Sequence, residues 1–111
     1  MAAVCVLETK EALEQIFESP LAVLLKHSPR CPVSRGAKSA YMKCAESYKH
    51  QENFYIIDVI THRFLSREIE KRTGVKHESP QVLIVRNGTV AWTASHWNIR
   101  EKTLKEAIGD S

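Results

Sequence analysis

The sequence has no long apolar segment. Its longest uninterrupted apolar run, Met1–Leu7, is seven residues, whereas a helix that crosses a bilayer needs about 20. The first residues, MAAVCVLETKEALE, carry no basic stretch before an apolar one, so we expect no secretory signal. The sequence therefore predicts a protein of the reducing cytoplasm with no membrane partner.

An excess of charge of one sign is also absent. Lys and Arg total 16 against 13 Asp and Glu, a net charge of +3. Nucleic-acid-binding domains usually show a stronger and more clustered excess, so we expect no nucleic-acid partner. The chain has only four glycines and four prolines and contains no repeat or low-complexity segment. These 111 residues predict one domain, residues 1–111.

Cysteine is scarce: the chain has three, Cys5, Cys31 and Cys44. An odd number cannot close into a complete set of internal disulfides, and thiols stay reduced in the cytoplasm. The cysteines and the five histidines lack the paired spacing of a zinc site. We therefore expect free thiols, no metal and no tightly bound cofactor.

Short apolar runs alternate along the chain with segments of helical spacing. The runs predict strands over 3–7, 21–25, 54–59, 81–86 and 89–94, the last two joined by the hairpin pair Asn87-Gly88. Helical spacing predicts helices over 10–18, 33–49, 62–73 and 98–108, with Thr9, Thr61 and Asn98 as N-caps and Gly74 as a stop. The order β-α-β-α-β-α-β-β-α predicts an α/β fold, a mixed central sheet with helices on both faces.

Cys31 is the strongest candidate for a reactive group, because it lies between a buried-type strand and a helix. Ligands of open α/β sheets bind beyond the carboxyl ends of the strands, and Pro32 suits the first helical turn. The helix dipole favours a thiolate, and Arg30 and Arg35 add positive charge. A thiolate is the attacking group in thiol–disulfide exchange. The alternative is a buried cysteine that packs as a small apolar residue.

Ser34 stands where a two-cysteine redox site has its second thiol, in the sequence Cys31-Pro32-Val33-Ser34. A hydroxyl cannot attack a mixed disulfide. One helical turn beyond Cys31, it can still donate a hydrogen bond to the thiolate. The alternative is a solvated helix serine. C-x-x-S alone is a weak motif, and its position after a strand is what strengthens it.

Ser79-Pro80 immediately precedes the strand predicted over 81–86. Proline is tolerated at the start of a strand, and in this topology that start lies beside Cys31. A cis bond would present the backbone of Ser79 for pairing with a substrate chain. Cis X-Pro bonds are uncommon, and the pattern alone does not indicate one.

Nearly the whole chain resembles the thioredoxin fold. A cysteine follows the second strand, and Gly74-Val75, Pro80 and Asn87-Gly88 follow at the spacing of the C-terminal half of that fold. The resemblance implies that Ser79-Pro80 is a cis-proline loop.

A narrower resemblance is carried by two stretches, KHSPRCPVS over 26–34 and ASHW over 94–97. They resemble the monothiol bacilliredoxins, thioredoxin-like proteins whose motif is Cys-Pro-Ile-Ser after a threonine. The chain departs from that motif at Val33, a conservative change, and at Arg30, which replaces the threonine and adds positive charge.

The bacilliredoxin resemblance implies removal of bacillithiol, a small thiol that carries malate, from protein mixed disulfides. Bacillithiol is then a co-substrate, and the partners are bacillithiolated proteins and a thiol or reductase that regenerates the catalytic cysteine. Cys31 and Ser34 are the expected catalytic residues. The residues expected to contact substrate are Arg30, Pro32, Ser79, Pro80 and His96.

Other residues near the site are open to two readings. Lys26, Arg35 or Lys38 can pair with the malate carboxylates or be ordinary surface charges. His27 is a site residue or a satisfied strand-end histidine. Cys44 lies about 20 Å along the helix from Cys31, beyond disulfide reach, so we expect Cys44, like Cys5, to be a spectator.

Two further functions fit the same residues. A glutaredoxin-like or general thiol–disulfide reductase shares the C-x-x-S chemistry, although Glu78-Ser79 replaces the Thr-Val that precedes the proline of glutaredoxins. The other is a non-enzymatic thioredoxin-like binding or adaptor module, in which the loop before Pro80 docks an extended peptide.

Overall fold

The computed structural model describes residues 4–109, and the strands in this range form one sheet. They are β1 (Cys5–Val6), β2 (Leu21–His27), β3 (Phe54–Asp58), β4 (Gln81–Arg86) and β5 (Thr89–Ser95). The order across the sheet is β1-β3-β2-β4-β5, with β1, β3 and β2 parallel and β4 and β5 antiparallel to their neighbours. The predicted mixed sheet is confirmed.

Helices cover both faces of this sheet, as predicted. They are α1 (Lys10–Glu18), α2 (Pro32–Glu46), α3 (Arg63–Thr73) and α4 (Glu101–Ile108), with short 3-10 turns over Gln51–Asn53 and His96–Asn98. Side chains alternate along β2, so Val23 and Leu25 pack in the core of α2 and α4, whereas Ala22 and Leu24 pack in that of α1 and α3.

Local signals in the sequence produce several of the observed boundaries. Thr9 Oγ1 accepts the Ala12 N–H at 3.1 Å and caps α1. Gly74 ends α3 at a φ of +73°, a conformation that glycine adopts without strain. Asn87 and Gly88 both have positive φ, as a two-residue hairpin turn requires.

The strand β2 is two residues longer than predicted. Lys26 and His27 remain in register with Ile57 and Asp58 of β3, and both are buried. The sequence predicts a strand that ends at Leu25, because two polar residues follow the apolar run there. Their polar atoms have partners elsewhere in the fold, which makes their burial possible.

Two helices begin at different caps from those predicted. His62, not Thr61, is the N-cap of α3, because the Asp58 carboxylate accepts the Ile60 and Thr61 N–H groups at 2.9 and 3.1 Å. Arg100, not Asn98, precedes α4, and its N–H donates to Thr103 Oγ1 at 3.2 Å.

The end of α2 and the length of β1 also differ from the prediction. Helix α2 ends at Glu46 rather than at residue 49, because the Ser47 N–H turns back to the Cys44 carbonyl at 3.1 Å. Strand β1 is shorter than the predicted 3–7, of which residue 3 lies outside the described residues.

Candidate active site around Cys31

Cys31 lies between the end of β2 and the start of α2. Its N–H donates to the Ser28 carbonyl at 3.0 Å, and its own carbonyl accepts the Arg35 N–H at 3.0 Å. Cys31 is therefore the N-cap of a 15-residue helix, with Pro32 in the first turn, where unpaired N–H groups favour a negative charge. Cys31 is free and partly exposed, so the alternative of a fully buried packing cysteine is wrong.

Tyr41 attaches this helix to the sheet. Its fully buried hydroxyl lies 2.9 Å from the Val23 carbonyl and 2.8 Å from the Tyr55 carbonyl, on strands β2 and β3. Burial raises the pKa of this phenol well above its usual value, so it stays protonated and able to donate. Helix α2 is thereby fixed relative to β2 and β3.

Ser34 is not a solvated helix serine, because its side chain is 0% exposed. Its Oγ accepts the Ser28 N–H at 2.9 Å and lies 2.8 Å from His27 Nδ1. Within residues 4–109 it makes no hydrogen bond to Cys31. The expected hydroxyl–thiolate bond is therefore replaced in this structure by bonds that hold the loop between β2 and α2.

His27 controls the one proton of that hydroxyl. Burial, and then the charge of Lys38, lower the pKa of its imidazole, while Asp58 acts in the opposite direction. When Nδ1 carries no proton, Ser34 must donate to it; when Nδ1 is protonated, the Ser34 proton is free for another acceptor. His27 is thus both a satisfied strand-end histidine and a neighbour of the site.

The Pro80 loop lies against the Cys31 loop. Ser79 Oγ is 2.7 Å from Ser28 Oγ, and the Ser79-Pro80 bond is cis, the form that the resemblance implied. The Pro80 carbonyl accepts the His96 N–H at 3.0 Å. The fold therefore gathers Ser79, Pro80 and His96 around the turn that carries the thiol.

Beyond β5, His96 and Trp97 face the start of α2 across a shallow groove. The groove, with a volume of about 420 Å³, is also lined by Pro32, Val33 and Arg100. The His96 Nδ1 lies 3.3 Å from Glu78 Oε2, and Trp97 is 77% exposed. An apolar surface next to Cys31 suits a protein substrate. The sequence signalled Trp97 only as part of the stretch 94–97.

Neither reading offered for Lys26, a partner of a ligand carboxylate or an ordinary surface charge, is correct. Lys26 is 0% exposed, and its Nζ donates to Gln81 Oε1 at 3.1 Å. Burial lowers the pKa of this amine to about 8, although Glu70 and Glu78 act in the opposite direction. Gln81 Nε2 in turn donates to the Lys76 carbonyl at 3.0 Å. This buried pair fastens the Pro80 loop, a role that the sequence analysis missed.

The other two cysteines lie away from the site. Cys44 is fully buried, and burial raises the pKa of its thiol to about 11. Cys5 lies on the edge strand β1, in register with Tyr55 of β3, and its Sγ is 3.8 Å from the Glu52 carbonyl. Because β3 lies between β1 and β2, Cys5 is two strand spacings, about 10 Å, from β2, and Cys31 lies beyond the end of β2. Neither thiol is placed to attack a disulfide at Cys31.

In the part of the chain that the structure describes, no group of three or more His, Cys, Asp or Glu is arranged to hold a metal ion. Within the same residues, no helix is long and apolar enough to span a membrane.

Comparison with known proteins gives a family and a fold. A sequence model of the family described as Monothiol bacilliredoxin BrxC matches residues 5–104. A solved structure described provisionally as an oxidoreductase with a thioredoxin fold is 33% identical, with a TM-score of 0.87, and the match covers 96% of this chain and 94% of that one.

Thioredoxins share the architecture at lower identity. The thioredoxin of Malassezia sympodialis is 18% identical, with a TM-score of 0.74, over 97% of this chain and 90% of its own. Oxidised thioredoxin from Plasmodium falciparum is 16% identical, with a TM-score of 0.74, over 96% and 95%. At these identities the two structures support the fold alone.

Proposed function

Because this chain belongs to the monothiol bacilliredoxin family, we propose that it removes bacillithiol from protein mixed disulfides through Cys31. A thiol redox function follows from the family and the fold. The observation that carries the finer proposal is the partly exposed Cys31 at the start of α2, with Ser34 in place of a second cysteine at that site.

The first step is an exchange of one disulfide for another. The Cys31 thiolate attacks the bacillithiol sulfur of the mixed disulfide, a Cys31–bacillithiol disulfide forms, and the old S–S bond breaks. The electron pair of that bond leaves with the substrate protein's sulfur, which takes up a proton as a free thiol. No external oxidant or reductant is consumed in this step.

The second step regenerates Cys31 and needs another thiol. A low-molecular-weight thiolate, or that of a partner reductase, attacks the bacillithiol sulfur, forms a new disulfide and releases Cys31 as a thiolate. Ser34 cannot perform this step, and Cys5 and Cys44 lie too far away. The reductant therefore comes from outside the chain.

The residues around the thiol bind the substrate protein in this proposal. Arg30 and Pro32 flank Cys31, the backbone of Ser79 pairs with the extended chain, and His96 contacts it from the end of β5. The setting is the reducing cytoplasm of a bacterium that makes bacillithiol.

Intact mass spectrometry tests the proposal directly. The reduced protein is mixed with a bacillithiolated protein, and we expect a mass gain of one bacillithiol on Cys31 with loss of the same mass from the substrate. Cys31→Ala abolishes the transfer. Cys5→Ala, which removes a thiol outside the site, keeps it.

A second substrate separates the proposal from a glutaredoxin-like activity. The same protein carrying glutathione in place of bacillithiol is offered under identical conditions, and we expect slower transfer. Equal rates indicate a general thiol–disulfide reductase. An absent adduct, with wild type and Cys31→Ala behaving alike, overturns the proposed transfer and favours a binding module.

A further inference from the structure

A groove on the α3 side of the Cys31 loop has no role in the steps above. It has a volume of about 430 Å³ and includes Ser28 in its wall, within the range of about 300–1,000 Å³ found for small-molecule sites. The Ser28 carbonyl accepts the Cys31 N–H, so the two Cα atoms lie within about 7 Å, as in any such turn. A small thiol bonded to Cys31 can therefore extend into this groove.

Two arginines line the groove next to this loop. Arg63 and Arg67 are four residues apart on α3 and both border the groove, as expected for side chains on one helical face. Across residues 4–109, neither guanidinium has an ion pair or a side-chain hydrogen bond. The N–H groups of both guanidinium groups are thus available to bind an anion.

The groove also contains one carboxylate, that of Glu70, one helical turn beyond Arg67. Glu70 Oε2 accepts the His77 N–H at 2.6 Å, and seven residues of helix, about 10 Å, separate Glu70 from Arg63. His77 is held by Ser66, whose Oγ lies 3.3 Å from its Nδ1. Arg63 therefore lies at the end of the groove away from Glu70.

We propose that Arg63 and Arg67 bind the two carboxylates of the malate part of bacillithiol while its sulfur reacts at Cys31. The planar guanidinium matches a carboxylate with two parallel hydrogen bonds, and the one-turn spacing offers one arginine to each carboxylate. This subsite rests on the proposed function and names where its small thiol is held. It lies on the face of the sheet opposite to Arg35 and Lys38 of α2, two of the three cations that the sequence suggested.

Kinetics on two mixed disulfides of one substrate protein test the subsite. One disulfide carries bacillithiol and the other carries 2-mercaptoethanol, which has no carboxylate. We expect the double variant Arg63→Gln/Arg67→Gln to lower the second-order rate constant for the bacillithiol disulfide about tenfold, as for two exposed charge pairs. The 2-mercaptoethanol disulfide should react within about twofold of wild type.

The matched control removes the same charge elsewhere. Lys43→Gln/Lys102→Gln replaces two exposed cations of α2 and α4, and we expect wild-type rates on both disulfides. A double arginine variant with an unchanged bacillithiol rate overturns the subsite. Equal losses on both disulfides also overturn it, because the arginines then do not recognise carboxylates.

Direct binding separates failure of the subsite from failure of the proposed function. L-malate is titrated into the reduced protein and followed by amide chemical shifts, which we expect to change at Ser28, Ser66 and Arg67. The double arginine variant should show no change. If malate perturbs these amides while bacillithiolated protein stays intact, the subsite stands and bacillithiol removal fails. Shifts confined to α2, or none, overturn the subsite.

Discussion

Lys26 and His27 are consecutive residues at the end of β2, and they point to opposite faces of the sheet. On one face Lys26 bonds Gln81, the first residue of the strand after Pro80. On the other face His27 contacts Ser34 in the helix that Cys31 begins. Each buried polar group therefore fastens one of the two segments that form the site.

The two residues reach this arrangement at different cost. An imidazole is neutral near pH 7 with little penalty. Burial lowers the pKa of His27 and so increases the neutral fraction of its imidazole. Lys26 must lose hydration while still charged at pH 7, because its pKa falls only to about 8. The comparison shows that the Pro80 side is held by a charged group and the Cys31 side by a neutral one.

The largest effect is expected from Lys26→Met. The pKa of Lys26 is about 8 in the folded protein and 10.5 as a reference, so between these values the unfolded state binds the additional proton. Stability therefore rises with pH in this window, by at most about 3 kcal/mol. The methionine variant lacks this contribution.

Urea unfolding of wild type and Lys26→Met at pH 7.5 and 10 measures this pH-dependent contribution to stability. The burial of Cys44, whose pKa rises to about 11 from 9.0, lowers stability as pH rises but acts equally in both proteins. The difference between wild type and variant should thus grow in favour of wild type. Lys102→Met, at an exposed position, is the control. A difference that is constant with pH contradicts the prediction.

On the other face, Ser34→Ala is expected to cost about 2 kcal/mol, since a buried group left without its partner loses about 1–3 kcal/mol. The variant deprives both His27 Nδ1 and the Ser28 N–H of the Ser34 oxygen. Ser39→Ala, an exposed serine of the same helix, should stay within about 0.5 kcal/mol. Equal free energies of unfolding for the two variants would show that the His27 side contributes nothing to stability.

Much of the fold was predictable from the sequence because its signals are local. Apolar runs, helical spacing, Thr9 and the Asn87-Gly88 pair indicate the elements and their order. Cys31 was identifiable for the same reason, since a strand, a cysteine and a proline follow one another directly.

The supporting contacts were not predictable, because each joins residues far apart in the chain. Lys26 bonds a residue 55 positions away, and Ser28 meets Ser79 across 51. Arg63 and Arg67 show only a helical spacing, which a solvated face shares. A buried-type run that continues directly into Lys26-His27 was the available signal, because polar residues that extend a buried strand need partners.

The smallest effect concerns acid pH and His27. Its pKa is lowered from 6.5, so the unfolded state binds the proton first and stability falls as pH drops below 6.5. At pH 5.5 the loss of stability cannot exceed about 1.4 kcal/mol, because pH 5.5 lies one unit below the reference pKa of 6.5.

His27→Gln tests this expectation, because glutamine retains hydrogen-bonding capacity toward Ser34 but cannot become charged. Unfolding at pH 7.5 and 5.5 should show a smaller acid loss of stability for this variant than for wild type. His50→Gln, at an exposed histidine, should keep the wild-type loss. If His27→Gln also shows the wild-type acid loss, the proton is taken up elsewhere, and the two faces at this end of β2 do not differ in the way that Lys26 and His27 indicate.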